Sequence, residues 1–364
     1  MKLGQAFDPR NNALNAWRLI LAVGVIFWHS WPLTGHTIGY QPVVRLLSEV
    51  WVDGFFTISG FLITASWMRH PRLKEYWTAR GLRIFPGLWV CLVVTAFVIA
   101  PVSVWIQRGS PLSVSSEVGY VLNNGVLNAY YAGIGGTPKA IPWPGVWNGS
   151  LWTLAFEMIC YIAVCVLGVV GLLKRRWTIP VLFVLAVAWS AWVSYPTLAM
   201  QTIPQMLARF AVVFLAGALL YQYRDRIPAR WSIVALSVAV VIASGLLQNY
   251  RVIAAVPLAY AIIVSGALIR HRRLNLRNDL SYGVYIYAFP VQQLLAICGL
   301  VWLNPALFFA LATICTLPLA ALSWFAVEKR VMSLKGRFRR VSAPPAERVT
   351  SQGVLDEWAI GGGW

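Results

Sequence analysis

Charged residues are scarce in this sequence, and acidic residues are the scarcest. Of 364 residues, 12% are charged and 59% are hydrophobic, and 12 Asp or Glu stand against 30 Lys or Arg. So few charges exclude an ordinary soluble domain, whose surface they could not cover. The 19 Trp and 14 Tyr suit the aromatic belts found at membrane interfaces. The composition therefore predicts a polytopic membrane protein.

The sequence also has little that would form a disulfide framework or a metal site. It contains five cysteines and four histidines, and no cysteine shows CxxC or CxxH spacing. We expect buried structural thiols, no disulfide framework and no metal. The net charge of +18 comes from basic clusters between apolar runs, and no nucleic-acid-binding motif accompanies them. These clusters indicate orientation in a membrane, and we expect no nucleic-acid partner.

Ten apolar runs are long enough to cross a hydrocarbon core of about 30 Å. They are residues 17–35, 52–68, 84–106, 151–173, 178–195, 203–222, 231–249, 252–269, 280–303 and 305–327. Lys and Arg concentrate in alternate connecting segments, which places both termini in the cytoplasm by the positive-inside rule. We predict an all-α membrane domain of about ten transmembrane helices over residues 1–335. Residues 336–364 read as a cytoplasmic tail that is first basic and then disordered.

The longest connecting segment, residues 107–150, falls on the outer side in this topology. It is rich in Gly, Asn, Pro and Tyr, and its end, IPWPGVWNG (141–149), combines aromatic and turn-forming residues. Two interpretations remain open. The segment is either a lid-like or re-entrant element over a site, or a plain connector.

Four ionisable residues lie within predicted spans: His29, Asp53, Glu157 and Arg209. Each needs a reason, because an ionisable group in hydrocarbon is costly unless it is paired or hydrated. At about 1.5 Å of rise per residue, all four fall in the outer third of the membrane, with Asp53 opening the second span. This shared depth predicts a polar chamber that opens to the outside. A purely structural ion pair between Glu157 and Arg209 is the alternative for those two.

The first predicted span carries two polar residues on one face. Arg18, Ala22, Val25 and His29 have the spacing i, i+4, i+7 and i+11, so they line one side of a helix. The histidine lies about 16 Å further along the helix axis than the arginine. Arg18 could be only an orientation charge, and His29 only a hydrogen-bonded packing residue. The common face and depth favour a functional role.

A basic segment, RHPRLKEYWTARGLRIFP (69–86), precedes and opens the third span. Arg80 and Arg83 are three residues apart, so they lie on the same helix face near the cytoplasm. Guanidinium groups bind phosphate oxygens in pairs. The segment predicts a binding site for a phosphate-bearing cytosolic ligand, and plain orientation charge is the alternative.

Six segments along the chain resemble the motifs of acyltransferase family 3, a family of integral membrane O-acyltransferases. The resemblance runs from Ala16 to about Met332. The segments are RLILAVGVIFWH (18–29), VDGFFTISGFLIT (52–64), YWTARGLRIFPGLWV (76–90), SLWTLAFEMICY (150–161), SYGVYIYAFP (281–290) and AVEKRV (326–331). Six segments in the order of the family make the resemblance specific.

The resemblance implies transfer of an acyl group, acetyl by default, from cytoplasmic acyl-CoA to a hydroxyl of a carbohydrate or related acceptor at the outer side. It implies essential roles for Arg18 and His29 and contact of Arg80 and Arg83 with the CoA donor. Two departures stand out. Ala288 occupies the place of a histidine in many members, and Arg330 that of a proline. A second catalytic histidine is therefore not expected.

A neutral imidazole at His29 could remove the proton of the attacking hydroxyl, and Asp53 or Glu157 would orient it. Covalent transfer through His29 is a further alternative.

Candidate acceptor-binding residues are Trp152, Tyr161 and Arg209. We expect a bacterial inner-membrane location. The rival functions are a transporter or flippase of a sugar or lipid-linked sugar, and a scaffold. The sequence leaves open whether the acceptor is an exopolysaccharide, a lipopolysaccharide, an antibiotic or a lipid-linked sugar.

Overall fold

The structure is a computed structural model that describes residues 1–128, 131–193, 202–276 and 278–333. These residues form helices and connecting segments, with no β-strand among them. The predicted tail at 336–364 lies outside the described residues. The α-helices are α1 (Leu3–Ala6), α2 (Leu14–Leu33), α3 (Gln41–Arg69), α4 (Leu73–Val94), α5 (Ala100–Ile106), α6 (Val114–Gly125), α7 (Trp152–Val169), α8 (Thr178–Trp192), α9 (Ile203–Gln222), α10 (Trp231–Ser244), α11 (Arg251–Leu268), α12 (Ser281–Ile297), α13 (Pro305–Ser323) and α14 (Lys329–Ser333).

Short non-α turns complete these helices. A π-helical turn at Thr95–Ile99 joins α4 to α5, and a second at Trp324–Glu328 joins α13 to α14. Single 3-10 turns follow α7 at Leu172–Lys174 and α12 at Leu300–Trp302. The all-helical prediction is confirmed for the described part of the chain.

Seven continuous helical stretches in the described ranges are long and apolar enough to cross a membrane. They are Leu14–Leu33, Gln41–Arg69, Leu73–Ile106, Trp152–Val169, Ile203–Gln222, Arg251–Leu268 and Pro305–Ser333. The other three predicted runs coincide with α8, α10 and α12, which have 15, 14 and 17 residues. Several long apolar helices of this kind indicate an integral membrane protein.

Helix α3 begins well before the predicted span at 52–68. Its first turns carry Arg45, Glu49 and Asp53 at a spacing of four residues, so the three lie on one helix face. They lower the hydropathy of a segment that is nevertheless helical. Asp53 therefore lies in the interior of a helix of 29 residues, where the sequence had placed it at the start of a span.

Helices α3 and α9 cross with their backbones in close contact at two glycines. A Cβ atom at Gly60 would lie 1.9 Å from the carbonyl oxygen of Phe214, and one at Gly217 would lie 2.0 Å from that of Thr57. No larger residue fits either position. Small residues permit such close crossings between membrane helices. The crossing brings the Asp53 end of α3 against the Arg209 end of α9.

Helix α12 lies at the centre of the helix assembly. Every residue from Ser281 to Gln293 is buried, so the helix is enclosed on all sides by its neighbours, which include α2, α4 and α13. On the peripheral helices, large apolar side chains are instead exposed, as at Val184 and Ile314. Apolar residues on the outside are expected where the surrounding solvent is lipid. The polar residues of this stretch of α12, such as Gln292 and Gln293, are therefore directed into the protein.

Candidate functional site

Three cavities follow one another through the helix assembly. The arginine cavity, of about 300 Å³, is lined by Arg18, Arg80 and Arg83. The glutamate cavity, of about 40 Å³, is lined by Glu157, and the histidine cavity, of about 60 Å³, by His29. The arginine and glutamate cavities share the wall residues Arg18 and Ser59, and the glutamate and histidine cavities share Val52, Thr153 and Tyr285.

The arginine cavity carries an excess of positive charge. Arg18 of α2 and Arg83 of α4 both pair with one oxygen of Asp279, at 3.1 and 2.6 Å. Arg80 adds a third guanidinium group, so three guanidinium groups and one carboxylate, that of Asp279, line this cavity. The remaining charge makes this cavity an attractive site for an anion.

Arg80 is held by neutral groups. Its Nη2 donates to Ser66 Oγ at 2.7 Å, and its guanidinium lies 5.3 and 5.7 Å from the ring centroids of Tyr76 and Tyr161. Its Nε has no hydrogen-bond partner within the described part of the chain. The aromatic rings fix the direction of the side chain through cation–π contacts while leaving its charge uncompensated.

Asp279 organises this end of the site from the segment between α11 and α12. Burial alone would raise its pKa, but the charges of Arg18 and Arg83 and two hydrogen bonds from Ser281 lower the pKa to about 2. Asp279 is therefore ionised at any physiological pH. It holds together two arginines that come from different helices.

Glu157 lies in the middle cavity of the three. Its Oε1 accepts hydrogen bonds from Ser59 Oγ, at 3.2 Å, and from the hydroxyl of Tyr161. Arg80 in turn contacts the ring of Tyr161. Glu157 is thus linked through Tyr161 to the arginine cavity.

The histidine cavity has an aromatic wall. The ring centroid of His29 lies 5.0 Å from that of Phe289 and 6.2 Å from that of Trp143, both edge to face. The residues that line the cavity include the aromatic residues Trp28, Trp51 and Trp152. In the described residues, Nδ1 of His29 is buried without a hydrogen-bond partner.

The end of the long connecting segment lines this cavity with Gly149 and Ser150 and contacts His29 with Trp143. Trp143 comes from that segment and is fixed by Gln293 of α12, whose Nε2 donates to the carbonyl oxygens of Trp143 and Val146 at 2.8 and 2.6 Å. Asn148 Nδ2 donates to the carbonyl oxygen of Ile286 at 2.8 Å. Segment 143–150 is therefore attached to α12 beside His29.

A buried ionic cluster adjoins the histidine cavity. Both oxygens of Asp53 are engaged: Oδ1 accepts from Arg209 Nε at 2.8 Å, and Oδ2 accepts from Arg251 Nε at 2.6 Å and from the hydroxyl of Tyr250. Glu49 pairs with both arginines. Two carboxylates and two guanidinium groups thus balance one another, and they join α3, α9 and α11.

The structure separates the residues that the sequence grouped by depth. Arg209 does line the histidine cavity, but it pairs with Asp53 and Glu49, whereas Glu157 lies in the neighbouring cavity. Since Nδ1 of His29 has no partner among the described residues, neither candidate carboxylate is bonded to that atom.

The remaining candidates divide between the two ends of the series. Arg18, Arg80, Arg83 and Tyr161 share the arginine cavity, and Trp152 lines the histidine cavity. Ala288, at the departure from the family motif, is buried in α12 beside Phe289, and Arg330 is exposed.

Several residues of the site were not singled out from the sequence. They are Asp279, Glu49, Tyr250, Arg251, Trp143, Ser150 and Tyr285. The chain has only 12 acidic residues, so an Asp or Glu beside an apolar run is itself a signal of a functional or structural role. That signal would have indicated Asp279 and Glu49. Within the described ranges, no group of three His, Cys, Asp or Glu could hold a metal ion.

Comparison with known proteins found one family model and two relatives that cover most of the chain. Residues 11–325 match the family model described as an acyltransferase domain. The chain is similar to an O-acetyl transferase of Shigella phage Sf6, with 28% identity over 337 residues, or 89% of this chain and 97% of the relative. It is also similar to nodulation protein 10 of Rhizobium leguminosarum bv. viciae, with 27% identity over 363 residues, or 90% and 94% of the two chains. No solved structure matches the chain.

Proposed function

The chain belongs to acyltransferase family 3 and is an acyltransferase, and from this premise we propose that it moves an acetyl group from cytoplasmic acetyl-CoA to a hydroxyl of a glycan at the outer side of the membrane. The observation that supports this route is the series of cavities. It leads from a cluster of arginines, past Glu157, to a histidine whose Nδ1 has no partner in the described residues.

The arginine cavity is the proposed site of the CoA phosphates. Arg80 and Arg83 would contact the phosphate oxygens, and Arg18 would add charge at the entrance to the next cavity. The uncompensated charge of this cavity supports the assignment, because CoA is strongly anionic. The arm of the donor would then extend through the glutamate cavity. Since that cavity holds only about 40 Å³, side chains along the passage must move when the donor enters.

His29 is the proposed general base. A sugar hydroxyl is a poor nucleophile at neutral pH, and an imidazole can take its proton as it attacks the thioester carbonyl. The contacts of His29 with Phe289 and Trp143 suit a neutral ring. Covalent transfer through His29 is less favoured, because one attack by the hydroxyl completes the reaction.

The carboxylates have separate proposed roles. Glu157 would act beside the donor arm, through its contacts with Ser59 and Tyr161. Asp53 would hold Arg209 in the wall of the histidine cavity, rather than orient the imidazole, because both of its oxygens are already engaged. Trp152 and Arg209 would contact the acceptor.

The proposed topology has about ten spans, with α8, α10 and α12 added to the seven longer helical stretches, and both termini in the cytoplasm. The alternating basic segments support it, as does the accumulation of arginines at one end of the cavity series. The arginine cavity then faces cytosolic CoA, and the histidine cavity lies nearer the outer side. A bacterial inner membrane is the proposed location.

The experiment compares cells with and without the gene. Mass spectrometry of surface glycans should show acetyl increments that disappear with the gene and return with the wild-type copy. Membranes that contain the protein should also transfer label from acetyl-CoA to the same glycans. A flippase would change the amount of surface glycan without requiring CoA. Label transfer that is independent of this protein would contradict the proposal.

A further inference from the structure

Ser150 has a buried hydroxyl for which the protein supplies no partner. The residue lies just before α7, its exposed fraction is 2%, and it lines the histidine cavity together with His29. Its Oγ has no hydrogen-bond partner in the described part of the chain. The backbone of the same residue is fully engaged. Its N–H donates to Asn148 Oδ1 at 3.1 Å, and its carbonyl oxygen accepts from Thr153 Oγ1 and from the hydroxyl of Tyr285.

The usual structural role of such a serine does not apply here. A serine at the start of a helix commonly caps it by accepting a hydrogen bond from a backbone amide of the first turn. Ser150 Oγ accepts none, and the capping position itself is occupied by Leu151, which has no polar side chain. Leaving a buried hydroxyl without a partner is costly. A group that enters the cavity would remove this cost.

The surroundings of Ser150 favour negative charge. The amino terminus of a helix of 18 residues carries partial positive charge and amide groups without a side-chain cap, and Trp152 and Thr153 of that first turn also line the cavity. Arg209 lies in the wall of the same cavity, but Asp53 and Glu49 balance its charge, so the helix terminus supplies the positive end. Tyr285 and Thr153, bonded to each other at 2.7 Å and to the carbonyl oxygen of Ser150, hold the residue in place.

We propose that the hydroxyl of Ser150, assisted by the amino terminus of α7, donates a hydrogen bond to the thioester carbonyl oxygen of the acyl donor during transfer. This inference rests on the proposed acyl transfer, and it identifies the group that stabilises the oxyanion. Preorganised donors of this kind are usually the largest contributors to acyl-transfer catalysis. In this arrangement His29 and Ser150 line one small cavity, where His29 acts on the attacking hydroxyl and Ser150 on the carbonyl oxygen.

The acceptor oxygen forms a bond to the thioester carbon while its proton passes to His29, and the carbonyl π electrons move onto oxygen, which Ser150 binds. The carbonyl then reforms, the carbon–sulfur bond breaks, and the CoA thiolate takes the proton from the imidazolium. The products are an O-acyl ester and free CoA, and no oxidant or other reactant is needed.

Ser150→Ala in the full-length protein tests the assignment. Loss of one oxyanion donor should lower kcat by roughly 100- to 1,000-fold, while the Kd for acetyl-CoA stays within about threefold of wild type. The matched control is Thr64→Val, because Thr64 Oγ1 is also buried without a partner but lines none of the three cavities. This control should keep wild-type kcat. Ser150→Cys, which preserves the shape with a weak donor, should lose at least tenfold in kcat.

Each result decides between the possible roles. A kcat of Ser150→Ala within a few-fold of wild type would refute the oxyanion assignment and leave a water-binding serine. A higher Kd for acetyl-CoA with unchanged kcat would also refute it. If Ser150→Ala does not fold, a wild-type kcat in Ser150→Cys would refute it equally. Failure of the wild-type protein itself to transfer acetyl would instead overturn the proposed function, and this inference with it.

Discussion

The ionic cluster around Asp53 and the histidine cavity are neighbours that share Arg209, but they differ in whether their buried polar atoms have partners in the protein. In the cluster, both oxygens of Asp53 have partners within the protein. In the cavity, His29 Nδ1 and Ser150 Oγ have none among the described residues. Burying an unpaired polar group is costly, and a ligand that enters the cavity can supply the missing partner. The paired residues hold helices together, and the unpaired ones are those that we propose to act on substrate.

The largest expected effect is that of substituting His29 in the histidine cavity. His29→Gln retains hydrogen-bonding capacity but cannot accept the proton, so the transfer rate should fall by about 10²- to 10⁴-fold. Expression, thermal stability and the Kd for acetyl-CoA should remain close to wild type, because Nδ1 of His29 has no hydrogen-bond partner to lose within the described residues. Transfer assays in membranes, together with CoA binding, provide the measurement. Near wild-type transfer would reduce His29 to a packing residue.

A substitution in the ionic cluster should lower the stability of the protein rather than change the chemistry of transfer. Asp53→Ala leaves Arg209 and Arg251 without their shared carboxylate, which should cost about 3–5 kcal/mol of folding free energy. Thermal unfolding of the purified protein in detergent measures this loss. Asp225→Asn is the control, because the ion pair of Asp225 with Arg224 is exposed and should contribute about 0–1 kcal/mol. If Asp53→Ala kept full stability but lost transfer, Asp53 would belong with His29.

The arginine cavity lies between these extremes, because its charges are only partly compensated. Arg80→Ala and Arg83→Ala should each weaken acetyl-CoA binding roughly ten- to a hundredfold, since a charge-assisted contact contributes about 1.5–3 kcal/mol. Titration of purified variants with acetyl-CoA gives the Kd values. Arg72→Ala provides the control, as Arg72 is an exposed arginine just before the same helix and pairs with Glu75. Equal affinities in all three variants would make Arg80 and Arg83 plain orientation charges.

The smallest expected effect concerns pH. The pKa of Asp279 is lowered from its ordinary value of 3.8 to about 2, so the stability that it contributes is complete above pH 3.8 and is lost as pH falls towards 2. Between pH 5 and 9 Asp279 should therefore cause no change in stability or in CoA affinity. Unfolding temperatures of wild type and Asp279→Asn should differ by a constant amount across that range. A difference that varies between pH 5 and 7 would show that Asp279 titrates there.

Local patterns indicated the class of the protein and most of its elements. Apolar runs located the helices, and the spacing of Arg18 and His29 on α2 and of Arg80 and Arg83 on α4 identified residues at both ends of the cavity series. The beginning of α3 was missed, because hydropathy counts charged residues such as Glu49 as residues for water. The pairing of Glu49 with Arg209 and Arg251 inside the protein removes that objection.

By itself, then, the sequence determined the all-helical fold, the family and the candidate residues, because helical periodicity and hydrophobicity act over short stretches of chain. Only the tertiary structure decided which polar groups satisfy one another. Asp53 meets Arg209 and Arg251 across 156 and 198 positions of sequence, and Arg83 meets Asp279 across 196. Such contacts depend on how the helices cross, as at Gly60 and Gly217. This packing decides whether a buried carboxylate or hydroxyl has a partner in the protein or is left for a ligand.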